Sequence, residues 1–431
     1  MMKTAFARFA DDRRGNFTVL TAAAAALLVT ATGLAVNLAQ ITNAQSGLAN
    51  ALDAALVSTA RDLSTGKIKT KDAEGIVTAF LAANFRPAFA SGAVTLDSLI
   101  INKDEKTISA SASVPVSMAF PMPGSERIRP VTAQSGTLYS DKKIEVSMVL
   151  DITGSMSGKK LDDLKIAARN AVKTFLGSQD PADPRVRIAL VPYAAAVNAG
   201  PLAEAVHVEK IGGSIVPPAN TEPFAVAASR PDDCATERKT ATGEQDLRDV
   251  GPDVAMVNRD LALSTKACPA APLLPLTAKK KALNDAIDAF KASGSTAGHI
   301  GIEWGWHLIS PEWKDALPAK AWPAAYDDNK AAKYAIIMTD GEFNTAYVGS
   351  RDAAASNTAA EALCGEMKAR GVEVFTIGFM LNQASAKAVL KACASPDKGK
   401  TQHAYDAADG AALDQAFQDI AANIEKLTVT K

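Results

Sequence analysis

The sequence predicts an α/β protein: a doubly wound, mostly parallel sheet, preceded by an N-terminal transmembrane helix and a small β-rich module, and interrupted by a loop-rich insertion. Three observations predict it. The apolar runs Ile144 to Leu150, Val186 to Tyr193, Tyr334 to Met338 and Val372 to Phe379 alternate with helical periods, the rhythm of a parallel sheet. Residues Phe17 to Val36 carry no charge, and about 20 such residues cross a bilayer as a helix. Two of the apolar runs lead into Asp151-Ile152-Thr153-Gly154-Ser155 and Thr339-Asp340-Gly341. That sets two carboxylates and several hydroxyls at the carboxyl edge of the sheet, where open α/β sheets bind ligands.

Each element follows in order. Residues 1–16 form a short tail with Lys3, Arg8, Arg13 and Arg14 against Asp11 and Asp12. A basic flank before a span keeps the N-terminus in the cytoplasm. The expected topology is therefore a single membrane crossing, with nearly all of the chain on the outer side. A secretory signal has a shorter apolar core, so residues 17–36 read as an uncleaved anchor. Arg14-Gly15-Asn16-Phe17 looks a little like a prepilin cleavage point. Leu20 stands where pilins carry a Glu, however, and prepilin-type processing is not expected. Residues 37–66 continue as a helical stalk, with a stripe of Leu48, Leu52, Leu56 and Leu63. Residues 67–142 read as the β-rich module, with alternating runs in 92–106 and 107–120, broken by Pro121, Pro123 and Gly124.

The main domain takes residues 143–431. A strand, a helix over 159–176 and the strand Val186 to Tyr193 open it. The rhythm then stops for residues 200–276, which hold many prolines and two cysteines. So long an irregular stretch reads as an insertion, expected to lie like a lid near the ligand edge. A helix from Thr277 to Ala292, a Gly294-Ser295-Thr296-Ala297-Gly298 loop and a helix through Ile309 follow. After the strand before Asp340 come a helix over 353–370, the strand Val372 to Phe379 and a short helix ending near Cys393. The last helix, Gly410 to Leu427, repeats Leu413, Phe417, Ile420 and Ile424 at helical steps and should pack on one face of the sheet.

Oxygen-only ligands suit a hard cation, Mg²⁺, Mn²⁺ or Ca²⁺, and not zinc. Asp, Ser and Thr are also favoured as helix caps, so a purely structural reading stands beside the metal. The order Asp-x-Thr-x-Ser, then Thr, then Asp resembles the metal-ion-dependent adhesion site (MIDAS) of von Willebrand factor A domains. That resemblance implies that Asp151, Thr153, Ser155, Thr296 and Asp340 surround a metal, preferentially Mg²⁺. Thr153 stands where Ser is usual and keeps the hydroxyl. The metal would bridge to an acidic side chain of a protein partner, with nothing turned over.

A more specific likeness covers both ends of the chain. The basic tail, Arg14-Gly15-Asn16-Phe17 opening the span, Ala51 to Ala55 and Val149-Leu150-Asp151-Ile152-Thr153-Gly154-Ser155-Met156 resemble TadG-type proteins of the tight-adherence (Flp) pilus systems. This implies an envelope-anchored protein that helps to assemble or anchor pili, with pilus or envelope proteins as partners. A general cell-surface adhesin unrelated to pili is the alternative.

Other classes fit less well. A net charge of −1, with no basic stretch interleaved with aromatics, argues against nucleic acid. The four cysteines, Cys234, Cys268, Cys364 and Cys393, have no Cys-x-x-Cys spacing, which weakens zinc and thioredoxin-like roles. In an exported chain they suit disulfides. Sequential pairing is expected among the three possible connectivities. A periplasmic serine hydrolase is suggested by Ser157-Gly158-Lys159-Lys160, but no Lys-Thr-Gly element accompanies it. A phosphate-binding loop fails on spacing, because Gly154 to Lys159 is one residue short. The histidines His207, His299, His307 and His403 read as surface or core residues, with His299 a candidate to line the ligand face through its closeness to Thr296.

Overall fold

A computed structural model describes residues 16–430 except 65–66, 88, 122–125, 141, 178, 180–183, 203–208, 212–213, 217–232, 240–243, 252–255, 258–267, 327–329 and 348–351. The basic tail, His207 and much of the insertion lie outside the described residues. The chain divides into two compact units, the first ending at Ser140.

The first unit is built on one helix, α1 (Asn16–Ser64), which runs unbroken from the apolar segment into the stalk. It is long and apolar enough to cross a membrane. Val19, Leu20, Leu27, Leu28 and Val29 are largely exposed. Beyond the apolar segment, the helix over residues 37–64 packs on the module that follows. Leu48, Leu52 and Leu56 are fully buried, and with Ala44, Ala55 and Ala60 they form one core with the module that follows. That module contains α2 (Ala73–Asn84) and an antiparallel sheet of β1 (Thr95–Asn102), β2 (Thr107–Ser117) and β3 (Ile128–Leu138) in the order β1-β2-β3. Ile108, Ala110, Ala112, Val114 and Val116 alternate inward from β2, as a half-buried strand requires. Pro115 and Pro130 face each other across β2 and β3, within the ladder.

The second unit is the predicted α/β domain. Its sheet contains β4 (Lys143–Asp151), β5 (Val186–Tyr193), β6 (Val197–Asn198), β7 (Cys234–Ala235), β8 (Leu274–Thr277), β9 (Ala331–Thr339), β10 (Glu373–Phe379) and β11 (Ala404–Ala407). The order is β11-β10-β9-β4-β5-β6-β7, with β8 also on β5. β4, β5, β9, β10 and β11 run parallel, while β6, β7 and β8 pair antiparallel. The chain starts at β4, winds out through β5, then returns to the other side of β4 as β9. The β4–β9 boundary is thus the topological switch point.

Helices cover both faces. α3 (Lys159–Leu176), α4 (Lys280–Asp288) and α8 (Gly410–Thr430) share a core with Val146, Met148 and Leu150. α5 (Gly298–His307), α6 (Ala353–Ala369) and α7 (Ala384–Cys393) share the other with Val149 and Val191. Leu413, Phe417, Ile420 and Ile424 of α8 are all buried, the face read from the sequence. Helix α5 is buried on every side. Gly301 and Gly305, one turn apart, let it lie directly on the sheet. A Cβ at Gly305 would come within 2.4 Å of Val149 Cγ2, and one at Gly301 within 2.6 Å of Tyr193 Cγ.

The described part of the insertion is woven into the domain. It supplies β7, which pairs with β6 at the sheet edge, and Thr236, Glu237 and Arg238 are fully buried. These residues pack as core, where the sequence suggested a lid. Cys234 is bonded to Cys268, and Cys364 on α6 to Cys393 at the end of α7.

Candidate metal centre

β4 ends at Asp151, and the following turn carries Thr153 and Ser155 towards α3. β9 ends at Thr339, directly before Asp340. The parallel register of β4 and β9 puts both strand ends at one edge, and the side chains meet there in a continuous chain. The Thr153 hydroxyl donates to Asp151 Oδ1 at 2.6 Å. Thr153 Oγ1 and Ser155 Oγ are 2.9 Å apart. The Ser155 hydroxyl donates to Asp340 Oδ1 at 2.6 Å. Asp151, Thr153 and Asp340 are buried, whereas Ser155 is exposed, so the cluster has one open side.

Asp151 has further partners. Its Oδ1 also accepts the Thr153 backbone N–H at 2.9 Å. Its Oδ2 accepts the Thr339 hydroxyl at 2.7 Å and that of Tyr193 at 3.4 Å. Even so, burial first and the charge of Asp340 second push Asp151 up to about 6, against the lowering effect of the Thr153 and Thr339 hydrogen bonds. Tyr193 is held well above its ordinary range by burial and then by Asp151. The Lys160 ammonium, on the first turn of α3, donates to Asp340 Oδ2 at 2.7 Å.

Thr296 reaches the same edge through its loop. The Gly154 N–H donates to the Gly294 carbonyl at 3.0 Å, and the Ser293 N–H to the Ile152 carbonyl at 3.0 Å. Asn344 locks this loop to the one after β9: its Oδ1 accepts the Thr296 N–H at 2.9 Å and its N–H donates to the Thr296 carbonyl at 2.8 Å. Thr296 is itself buried. The structure thus joins Asp151, Thr153, Ser155 and Asp340 directly and sets Thr296 on the adjoining loop.

The donor set is two buried carboxylates with three hydroxyls from Thr153, Ser155 and Thr339, all oxygen. That chemistry fits a hard cation and lacks the nitrogen and sulfur that zinc favours. Among the described residues no group of three or more His, Cys, Asp or Glu is placed to hold a metal. The pair of aspartates therefore amounts to a ligand set only together with its hydroxyls. The charge of Asp340, which adds to burial in raising Asp151, is what a bound cation would offset.

Sequence reasoning passed over Lys160, Tyr193 and Asn344. Lys160 entered only as the end of a Ser-x-x-Lys match. Its ammonium goes to Asp340, not to Ser157. A lysine two residues past a helix-opening glycine is ordinary, so it gave no signal. His299 does not line this edge. It is buried in α5, with Nδ1 2.7 Å from Ser356 Oγ and Nε2 2.7 Å from Glu237 Oε1, and it ties α6 and the insertion to α5.

No family model matches the chain, and no curated protein matches it. Solved structures are similar at low identity. The pilus adhesin SpaC from Lactobacillus rhamnosus GG is 12% identical over 80% of this chain and 37% of its own, with a TM-score of 0.38. The chain therefore spans little more than a third of that adhesin. The vWF domain of the type V pili tip protein Mfa5 from Porphyromonas gingivalis is 14% identical over 67% of this chain and 97% of its own, with a TM-score of 0.39. Proximal thread matrix protein 1 from the mussel byssus, with a zinc-occupied MIDAS motif, is 12% identical over 66% of this chain and 47% of its own, with a TM-score of 0.33.

Proposed function

We propose that this chain is a membrane-anchored, metal-dependent adhesion or assembly protein that helps to assemble or anchor Flp-type pili in the bacterial envelope. The observation that carries the metal reading is the hydrogen-bonded run Asp151–Thr153–Ser155–Asp340 at the switch point of the sheet, buried on one side and open at Ser155. Asp151, Thr153, Ser155, Thr296 and Asp340 would hold Mg²⁺, with Mn²⁺ or Ca²⁺ as substitutes. The cation would supply a coordination position that an acidic side chain of a protein partner can fill. The chain's own part is to hold the two carboxylates aligned, and to leave Ser155 facing solvent. In this reading the protein is not an enzyme, and the Flp assignment rests on the sequence resemblance alone.

The test is calorimetric titration of Mg²⁺ and Mn²⁺ into the full chain in detergent, beside Asp151→Ala. Binding by the wild type that is lost in the folded variant supports the reading. Absence of binding by a folded wild type would leave Asp151 and Asp340 as turn-forming residues and remove the bridging mechanism.

A further inference from the structure

The first unit has a second surface with its own chemistry, where the sheet meets the end of the apolar helix segment. Asn37 is the first residue after the apolar segment 17–36, within a stretch that carries no charge from Gly15 to Leu52. Its side chain grips Phe120 in both senses: Asn37 Nδ2 donates to the Phe120 carbonyl at 2.7 Å, and the Phe120 N–H donates to Asn37 Oδ1 at 3.0 Å. The Ala119 N–H donates to Gln40 Oε1 at 3.1 Å. The Phe120 side chain rests on Gly33, one turn further back, where an added Cβ would lie 3.1 Å from Phe120 Cβ. The end of β2 is therefore fixed at the level where the apolar segment stops. Twenty helical residues rise about 30 Å, the thickness of the hydrocarbon core, so this level is a membrane boundary if the segment spans.

The side chains around that level suit such a boundary. Phe89 is 51% exposed, Phe120 49% and Ile128 49%. They are neighbours: the Ser117 N–H donates to the Phe89 carbonyl at 2.9 Å, and Ser117 pairs with Ile128 across the hairpin. Arg86, Arg127 and Arg129 are exposed beside them. A groove of about 600 Å³ begins at Val36 and is lined by Gln40, Phe85, Arg86, Phe89 and Val116. Two exposed aromatics and an exposed isoleucine cost free energy in water. Amphipathic and aromatic side chains with arginine are what the headgroup layer accepts, and arginine near an anionic surface adds attraction.

We propose that this rim, Phe89, Phe120 and Ile128 with Arg86, Arg127 and Arg129, is seated in the headgroup layer of an anionic bilayer. The first unit would then be held to the membrane by a face as well as by its helix. The proposal rests on reading residues 17–36 as a span.

The experiment uses the full chain in vesicles of phosphatidylcholine and phosphatidylglycerol, with a nitroxide at Phe120→Cys and, separately, at Phe89→Cys. The four native cysteines are paired, so the label goes to the new thiol. Collision with oxygen against a water-soluble nickel chelate reports depth. Leu28→Cys marks the span, and Leu138→Cys, at the opposite end of β3, marks water. The expected result is a depth for Phe120 and Phe89 between those two references, with a shift towards water when phosphatidylglycerol is left out. Labels at Phe120 and Phe89 that match Leu138, while Leu28 reads as lipid, would overturn the rim and leave the span intact. A Leu28 label that reads as water would remove the span, and the rim with it.

Discussion

The Lys160 ammonium stands 2.7 Å from Asp340 Oδ2, while among the described residues the hydrogen-bond partners of Asp151 are hydroxyls and an amide. The two carboxylates of the candidate metal centre are thus unequal before any cation arrives. Asp340 has a counter-ion, and Asp151 carries the strain of burial that pushes it up to about 6.

Removing that counter-ion should relieve the competition between lysine and metal. Lys160→Met is expected to raise Mg²⁺ affinity by about tenfold, equivalent to about 1.4 kcal/mol, and to lower the stability of the metal-free protein. Calorimetry with and without Mg²⁺, set beside urea unfolding, reads both effects. Unchanged affinity in a folded variant would mean that lysine and cation do not share Asp340.

Thr153 is the hinge between Asp151 and Ser155. Thr153→Ser keeps the hydroxyl and is expected to bind Mg²⁺ like the wild type. Thr153→Val keeps the shape, breaks the hydrogen-bonded run and is expected to bind far more weakly. It should also lose about 1–3 kcal/mol of stability by leaving a buried acceptor short of a partner. Equal binding by the two variants would place the metal, if any, away from Thr153.

Gly301 governs how closely α5 lies on the sheet beneath the site. Gly301→Ala would drive a methyl into Tyr193, whose hydroxyl reaches Asp151. The expected cost is about 1–3 kcal/mol, the usual range for overpacking, with Mg²⁺ binding weakened through Tyr193. Gly365→Ala, in open space on α6, is the control and should be neutral or slightly stabilising in a urea titration.

Glu303 gives the domain a pH dependence of unusual sign. It is buried in α5, and desolvation, ahead of the opposing pull of Arg238, raises it from 4.5 to about 8. A carboxyl raised on folding holds its proton longer in the native state, so its stabilising share is full below about 4.5 and is lost as pH rises through about 8. The slope is at most about 1.4 kcal/mol per pH unit. Glu303→Gln should flatten the stability profile between these values. A wild-type profile with no fall across that window would show Glu303 to be ionised in the native protein.

The sequence displayed the fold where apolar period and strand length agreed. Ile144 to Leu150 and Tyr334 to Met338 read as buried strands, and Leu413, Phe417, Ile420 and Ile424 named their own helix face. It was silent where side chains are small or polar. β3 buries only Val131 and Ala133 closely, too little to announce a strand, and β11 is four residues long. Helix α2 hid in a stretch read as sheet because its buried face shows only Ala73, Val77 and Leu81. The convergence of Asp151, Thr153, Ser155 and Asp340 could be anticipated because strand ends in a parallel sheet fall at a common edge. The part of Lys160 and Asn344 could not, since it depends on rotamers and loop paths that no spacing encodes.

Helix α1 runs 49 residues with no proline and no interruption, roughly 70 Å at the usual rise. A hinge needs a few residues able to absorb a change of backbone angle, and α1 has neither Gly nor Pro between its apolar segment and the buried turn at Ala44. With the apolar segment in lipid, that unit would behave as the outer arm of a rigid lever. Any sideways pull on it would be felt as tilt of the anchor in the bilayer, and any change in bilayer thickness would be transmitted outward as a change in its attitude.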